Sequence, residues 1–206
     1  MKIETFVIGV MRTNCYLLIN EDTKEAVVID PGASPDYFLN HIKEQGLDLK
    51  AILLTHGHFD HILGLPSFLQ EFDVPVYAHE KEVSLLADAT LNISKAYKKE
   101  YAFTDAIALK DGDMLEIGGM CYKVIHTPGH TGGGVCYYAE DEKKLFSGDT
   151  LFLGSVGRTD LPTSDEAALK HSVREKLLVL PEDVDVYPGH ADATTIAYER
   201  KYNPYV

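Results

Sequence analysis

The chain has 206 residues, 45% of them hydrophobic and 25% charged, and its 32 acidic and 19 basic side chains give a net charge of −13. That charge opposes contact with a phosphate backbone, so nucleic acid is not expected among the partners. No segment approaches the roughly 18 consecutive apolar residues of a membrane span, so no membrane partner is expected either.

The N-terminal segment has the pattern of strands rather than of a targeting sequence. Its first 20 residues are interrupted by Glu4, Arg12 and Asn14 and contain no small-residue cleavage site. We therefore expect no signal peptide and a cytoplasmic location. No linker-like tract divides the chain, and its length allows one full core, so residues 1–206 are expected to form a single domain. The sequence leaves the oligomeric state open.

Short apolar runs rich in β-branched residues recur between turn residues, which is typical of strands. The nine predicted strands are residues 4–10, 14–20, 25–30, 50–55, 74–79, 120–127, 133–140, 143–149 and 183–189. The early runs follow one another as hairpins, whereas the later runs alternate with helical patterns. This order predicts an α/β (α+β) fold with mixed sheets flanked by helices, rather than a purely parallel sheet.

Two segments between strands have clear helical patterns. In the first, Ser34 is the predicted cap, Pro35 fits the first turn and Gly46 fits the end. The second begins near Ser164 and repeats apolar residues on one face. Its predicted inward-facing residues are Leu169, Val173 and Leu177.

Residues 84–105 also have a helical pattern, and they include Tyr97, Tyr101 and Phe103. An outer helix that packs these aromatic side chains on the sheet is one interpretation. A lid over the active site is the other, because lids are a common use of such insertions.

The segment THGHFDH, residues 55–61, follows a predicted strand and concentrates groups that bind metals. His56 and His58 are two residues apart, so an extended backbone directs both imidazoles at one point. Asp60 and His61 follow where the chain turns, so their side chains face a second point nearby. The spacing therefore predicts two adjacent cation sites.

One segment cannot complete two coordination shells, so further ligands are expected at other strand ends. Three candidates have such positions: His130 after HTPG, Asp149 after LFSG, and His190 after DVYPG. A single histidine after a strand is more often structural than metal-binding. The combined set of five histidines and two aspartates nevertheless predicts a metal centre.

These motifs resemble those of the metallo-β-lactamase superfamily, with THGHFDH followed by HTPGH, SGDT and YPGH over most of the chain. The resemblance implies a four-layer αβ/βα sandwich with a site for two divalent metal ions between its sheets. Zinc is the expected metal, with iron and manganese as alternatives. The implied ligands are His56, His58 and His130 for one metal, Asp60, His61 and His190 for the other, and Asp149 as a bridge.

Within that superfamily, the segment GDTLFLGSVGRTDLPTSD and the ending GHADATTIAYERKYNPY are similar to small glyoxalase II-type hydrolases. Those enzymes cleave thioesters such as S-lactoylglutathione to a hydroxy acid and a thiol. The resemblance implies a hydrolase of a small-molecule thioester, in which the metals lower the pKa of water and Asp60 and Asp149 stay ionised as catalytic groups. The larger glyoxalase II enzymes add a C-terminal helical domain, which a chain ending at Val206 is expected to lack.

The loop after Asp149 contains the residues expected to bind the substrate. In the larger glyoxalase II enzymes it supplies a lysine and, two residues later, a tyrosine to glutathione; the aligned residues here are Arg158 and Asp160. Arg158 can bind a carboxylate through two hydrogen bonds and is the candidate substrate-binding residue, whereas Asp160 repels an anionic tripeptide. A loop contact of Arg158 with Asp160 or Asp165 is the structural alternative.

The sequence leaves other activities open. Persulfide dioxygenases of the same superfamily have a similar GRTD loop and bind one iron through two histidines and an aspartate, which would be His56, His130 and Asp149 here. Hydrolysis of a lactone or β-lactam and a metal-binding module without catalysis are further alternatives, because fold and ligands alone do not determine the acyl group.

Overall fold

The computed structural model describes residues 1–206 and contains two six-stranded sheets. The strands of the first sheet are β1 (Lys2–Ile8), β2 (Thr13–Ile19), β3 (Glu25–Ile29), β4 (Asp48–Leu53), β5 (Val76–His79) and β6 (Ile107–Leu109). They lie side by side in chain order. The pairs β1–β2 and β2–β3 are antiparallel, and the pairs from β3 to β6 are parallel.

The C-terminal half forms the second sheet. Its strands are β7 (Met114–Ile117), β8 (Met120–His126), β9 (Val135–Ala139), β10 (Lys144–Gly148), β13 (Asp185–Pro188) and β14 (Thr194–Thr195), with the ribbon β11 (Leu151–Phe152) and β12 (Ser155–Val156) between β10 and β13 in sequence. The spatial order is β14-β13-β10-β9-β8-β7, and only β10 and β13 pair in parallel. Both sheets are therefore mixed, as predicted.

Helices connect and flank the strands. They are α1 (Asp36–Glu44), α2 (Phe59–Ile62), α3 (Leu65–Glu71), α4 (Val83–Leu86), α5 (Glu166–Ser172) and α6 (Ile196–Tyr202), with a 3-10 turn at Glu80–Glu82 and a π-helical turn at Val173–Leu177. None of these helices has the length and apolar character that crossing a membrane requires.

Successive side chains of a strand point to opposite faces of its sheet, and the apolar ones form three buried clusters, one between each pair of neighbouring layers. In β2, Cys15 and Leu17 belong to an outer cluster with Phe38 of α1, whereas Tyr16 and Leu18 belong to the cluster between the sheets. The third cluster joins the outer face of the second sheet to residues after α5 and to α6. The predicted four-layer αβ/βα sandwich is confirmed.

The helix boundaries differ slightly from the prediction. Pro35, and not Ser34, is the N-cap of α1, and it makes no side-chain capping hydrogen bond. The Ser34 cap was wrong because Pro35 has an extended ψ of 142°, which keeps it outside the helix. Gly46, with φ of 63°, follows the end of this helix as predicted. At α5, Asp165 is the N-cap, and the predicted inward face is buried: Leu169, Val173 and Leu177.

Five short strands were not predicted, namely β6, β7, β11, β12 and β14. Each has two to four residues. So few residues cannot display the alternation by which strands are detected in a sequence.

The helix predicted over residues 84–105 is wrong beyond its first turn. Helical geometry ends with Val83–Leu86, and turns follow. Asn92 Nδ2 and Ser94 Oγ both donate to the carbonyl oxygen of Tyr101, at 2.8 and 3.1 Å. Bonds of this kind offer the backbone an alternative to the helical pattern, and here they stabilise a compact loop.

Candidate metal centre

The histidine-rich segment begins directly after β4 and enters α2. His56 and His58 are in the extended stretch between these elements, and His58 is the N-cap residue of α2. Asp60 and His61 are in the first turns of α2 itself. The backbone changes from extended to helical between the two pairs, and the rings of His56 and His61 still lie close together, with centroids 4.1 Å apart.

His56 and His58 meet His130, which follows β8 in a glycine-rich loop. One nitrogen from each imidazole lies within 4.8 Å of the other two. His58 Nδ1 and His130 Nε2 are 2.9 Å apart. All three side chains are buried, so three imidazole nitrogens converge on one point away from bulk water.

Asp60 and His61 meet His190, which follows β13. Their ligand atoms also lie within 4.8 Å of one another. The Oδ2 atom of Asp60 is 3.2 Å from His190 Nε2 and 3.6 Å from His61 Nε2. This is a second convergence point with two imidazoles and one carboxylate.

Asp149, at the end of β10, lies between the two clusters. Its Oδ2 atom is 3.5 Å from His130 Nε2 and 3.6 Å from His190 Nε2, and its Oδ1 atom is 3.5 Å from His61 Nε2. One carboxylate therefore faces histidines of both clusters. The structure thus brings together all seven side chains that the strand-end pattern selected.

Unpaired polar atoms show that this cluster fits metal ions. His56 Nε2, His61 Nε2 and Asp149 Oδ1 are buried and have no hydrogen-bond partner. Buried polar atoms without partners are rare in folded proteins and require an explanation such as a bound ion. Imidazole nitrogens and carboxylate oxygens are ligands that zinc and iron accept.

The electrostatics of the two clusters differ. Burial lowers the pKa of His56 and His58 well below the usual value, so both are neutral at neutral pH and can act as ligands. Burial also acts on His61, but the carboxylates of Asp60 and Asp30 outweigh it and raise the pKa of His61 to about 10. His56 and His58 are therefore ready to bind a cation, whereas His61 must release a proton when a cation binds.

Hydrogen bonds outside the cluster orient its histidines. His130 Nδ1 lies 2.8 Å from the carbonyl oxygen of Arg158, which can only accept, so Nδ1 carries the proton and the Nε2 lone pair faces the cluster. His61 Nδ1 lies 2.9 Å from Asp30 Oδ2. Asp30 also accepts from the amide and hydroxyl of Thr55, at 2.8 and 2.6 Å. Partners of this type hold the tautomer and ring orientation of metal-binding histidines.

Glu82 hydrogen-bonds both to the loop of His56 and His58 and to the loop of His130. Its carboxylate accepts from Gly57 N at 2.9 Å and from Thr131 Oγ1 at 3.1 Å. Gly57 separates His56 from His58, and Thr131 follows His130 in sequence. Burial raises the pKa of Glu82 to about 7, although these hydrogen bonds oppose the shift.

Sequence reasoning did not select Asp30, Thr13 or Glu82. Asp30 directly follows β3, so the strand-end rule that selected Asp149 would have found it. Thr13 begins β2 and donates from Oγ1 to Asp60 Oδ2 at 3.0 Å. Neither Thr13 nor Glu82 belongs to a recognisable motif, and only the folded chain brings them to the site.

A cleft of about 390 Å³ opens onto the cluster. Ile93 and Tyr97 of the segment 84–105 line it, and Tyr97 stacks on Phe59 with ring centroids 4.3 Å apart. Arg158 also lines the cleft, so it is positioned for either of its predicted roles, substrate binding or a loop contact. That the segment 84–105 moves as a lid stays a prediction.

The sequence from residue 8 to residue 190 matches the model of the metallo-beta-lactamase superfamily. The chain belongs to this superfamily. Over its whole length it is 41% identical to a probable metallo-hydrolase, YqgX, of Bacillus subtilis strain 168, and 98% of that protein is covered. It is 34% identical, again over its whole length, to the hydroxyacylglutathione hydrolase GloC of Haemophilus influenzae, with 98% of that protein covered.

Two crystal structures show the same fold. BLEG-1 B3 metallo-beta-lactamase has a TM-score of 0.94 and 41% identity, over 99% of each chain. TTHA1623 in a di-iron-bound form has a TM-score of 0.88 and 36% identity, over 98% of this chain and 100% of that chain. The predicted family and fold are confirmed, and the protein is a metal-dependent hydrolase of the metallo-β-lactamase superfamily.

Proposed function

We propose that this protein hydrolyses a small-molecule thioester at a site for two divalent metal ions, with zinc as the expected metal. The position of Asp149 carries the proposal, because its two oxygens lie within 3.6 Å of histidines from both clusters. The similarity to the hydroxyacylglutathione hydrolase GloC supports the thioester class.

In this proposal each cluster would hold one metal ion. The ligands would be His56, His58 and His130 for one ion, Asp60, His61 and His190 for the other, and Asp149 for both. When bound, such a pair supplies Lewis acidity toward the acyl carbonyl and lowers the pKa of water from about 15.7 toward 7.

The carboxylates of the chain orient the attacking water. In the metal-free protein, burial acts to raise the pKa of Asp60, but His61 and His190 outweigh it and hold that pKa well below the usual range. Bound cations would likewise favour its ionised form. The hydroxyl of Thr13 donates to its Oδ2 atom and restricts its rotation. An ionised carboxylate accepts a hydrogen bond from water and aligns its oxygen with the acyl carbon. That oxygen forms the new C–O bond, the C–S bond breaks, and the products are a carboxylic acid and a thiol.

The test begins with protein purified without added metal. Elemental analysis is expected to find two divalent ions per chain, and loss of thioester absorbance in the ultraviolet is expected on addition of a lactoyl thioester. Asp149→Ala should lose the second metal ion and most of the turnover. The matched control is Asp22→Ala at an exposed aspartate. A variant at Asp149 that keeps two metals and the full rate contradicts the arrangement.

The same preparation separates this proposal from the alternatives. Persulfide oxidation requires oxygen, so oxygen uptake with glutathione persulfide, one iron per chain and no thioester cleavage would overturn the proposal. If a lactone or β-lactam is cleaved faster than any thioester, the proposed metal centre stands but the proposed substrate class is wrong.

A further inference from the structure

The wall of the cleft is mainly apolar. Apart from residues of the seven-residue cluster, nine residues line it, and seven of those are apolar or aromatic. Tyr97 and Met11 remain 46% and 41% exposed. Phe152 also lines the cleft, with its ring centroid 6.3 Å from that of His190. Apolar surface that stays exposed beside a reactive centre is typical of a binding site for an apolar group.

Outside the seven-residue cluster, one ion pair provides the charged groups at the cleft. Arg158 is the only lysine or arginine that lines the cleft. Its Nε donates to Asp160 Oδ1 at 2.6 Å, and its Nη2 donates to Asp160 Oδ2 at 2.8 Å. The two-residue separation keeps the carboxylate beside the guanidinium, and the Arg158 carbonyl is held by His130. The structural alternative for Arg158, a loop contact with Asp160, is therefore present.

The strength of this pair is not what matters, because both side chains are mostly exposed and an exposed ion pair contributes little to stability. We call residues 158–160, at the edge of the cleft, the rim. What matters is that the carboxylate of Asp160 stays at this rim even when its ion pair with Arg158 opens. The side chains of Arg158 and Asp160 offer an anionic substrate arm no net positive charge, and that arm approaches a protein with a net charge of −13. Glutathione, with two carboxylates and one ammonium group, gains nothing from this rim.

A second cation lies close by but outside the cleft. Lys99 lines a separate hollow of about 270 Å³, and that hollow shares Phe59 and Asp60 with the cleft. This lysine is a second position at which an anionic arm could bind, so it provides a second variant for the test.

We propose, on the basis of the thioester hydrolysis proposed above, that the substrate is a thioester without net negative charge. An aromatic or branched aliphatic arm packs on the wall formed by Met11, Tyr97 and Phe152. Asp160 is the specificity-determining residue, because it cancels the charge of Arg158 that would otherwise attract an anionic thiol.

Three lactoyl thioesters with the same acyl group test this proposal on the metal-loaded protein. Their thiols are glutathione, which is anionic, N-acetylcysteamine, which is neutral and small, and benzyl mercaptan, which is neutral and aromatic. The expected order of kcat/KM is the benzyl thioester first and the glutathione thioester last. A higher kcat/KM for the glutathione thioester than for both neutral ones overturns the proposal, whereas no cleavage of any of the three overturns the proposed function itself.

Variants then identify the cause of the selectivity. Asp160→Asn should raise the glutathione-to-neutral ratio of kcat/KM by up to about fivefold, and the gain should shrink at high salt. Adding Arg158→Gln to that variant should abolish the gain. Asp183→Asn is the matched control, because Asp183 is also an exposed aspartate paired with a basic side chain, Lys143. An unchanged or lower ratio in Asp160→Asn overturns the role of Asp160.

Two further variants test the wall and the neighbouring lysine. Tyr97→Ala should raise KM for the benzyl thioester while its kcat is retained, since it removes binding that ground state and transition state share. Lys99→Gln should leave the glutathione-to-neutral ratio of kcat/KM unchanged. A fall of that ratio in Lys99→Gln shows that glutathione binds through the hollow, which overturns the proposal of a neutral substrate.

Discussion

The Oδ2 atom of Asp30 lies 2.9 Å from Nδ1 of His61, and both side chains are buried. This contact directs His61 Nε2 toward Asp60 and Asp149. We predict that Asp30→Asn lowers metal affinity or kcat by about 10-fold to 100-fold, because partners of metal-binding histidines have effects of this size. Competition with a coloured chelator measures the affinity.

The control for this prediction is Asp48→Asn, at an exposed aspartate paired with Lys50. Asparagine also tolerates the left-handed backbone of Asp30, whose φ is 53°, so the variant is expected to fold. Unchanged metal affinity and kcat in a folded Asp30→Asn protein would show that the contact does not orient His61.

Gly189 packs directly against the cluster. A Cβ atom at this position would lie 2.3 Å from Asp149 Oδ1 and 2.8 Å from His61 Cε1. We predict that Gly189→Ala displaces Asp149 and lowers the metal content toward one ion per chain, with at least a tenfold loss of kcat, as expected when a catalytic group shifts by about 1 Å. Elemental analysis and initial rates measure both effects.

The matched control for Gly189→Ala is Gly132→Ala. Gly132 lies in the loop of His130, but a Cβ atom there meets nothing closer than Thr163 at 3.9 Å. Equal metal content and rate in both alanine variants would contradict the steric explanation.

The strand-end rule located the seven clustered side chains because sheet edges converge in space even when their strands are far apart in sequence. His58 and His130 are 72 residues apart and yet have nitrogens 2.9 Å from each other. The rule works for polar residues directly after long apolar strands. It has no information on Glu82, which follows a short strand on a 3-10 turn and reaches the site through the packing of its loop.

Local side-chain chemistry explains what the pattern predicted wrongly. Residues 84–105 have the composition of a helix, but Asn92 and Ser94 bond to the backbone of Tyr101 and hold a loop instead. A sequence pattern records apolar spacing, and it does not reveal whether a polar side chain bonds to its own backbone or to solvent.

Glu82 connects the two loops that carry His56, His58 and His130. We predict that Glu82→Ala lowers the free energy of unfolding by about 3 kcal/mol, because the buried donors Gly57 N and Thr131 Oγ1 lose their acceptor. Metal affinity should fall with it, and Glu82→Gln, which keeps one acceptor oxygen, should have a smaller effect on both. Chemical denaturation measures the stability change.

The neighbouring Glu80 provides the control, since it is exposed on the same 3-10 turn. Glu80→Ala should change the unfolding free energy by less than about 0.5 kcal/mol. Equal destabilisation by the two alanine substitutions would assign the effect to the 3-10 turn rather than to the hydrogen bonds that Glu82 accepts from the histidine loops.

His79 and His126 form a stacked pair outside the metal centre, with ring centroids 4.0 Å apart and planes 9° from parallel. Burial, together with the charge of His126, lowers the pKa of His79 to about 4 although Glu80 and Asp111 oppose the shift. In the unfolded chain a histidine binds its proton near pH 6.5. The stability contributed by neutral His79 is therefore complete above about pH 6.5 and is lost as the pH falls toward 4.

We predict that His79→Asn removes about 2 kcal/mol of the fall in unfolding free energy between pH 6.5 and 4. Asparagine is chosen because its Oδ1 atom can accept from Lys81 N as His79 Nδ1 does. Both proteins are compared at the same metal loading, so that protonation of the site histidines cancels in the difference. His171→Asn, at an exposed histidine of α5, should follow the wild-type curve, and the same curve for His79→Asn would show that the pair does not set the acid sensitivity.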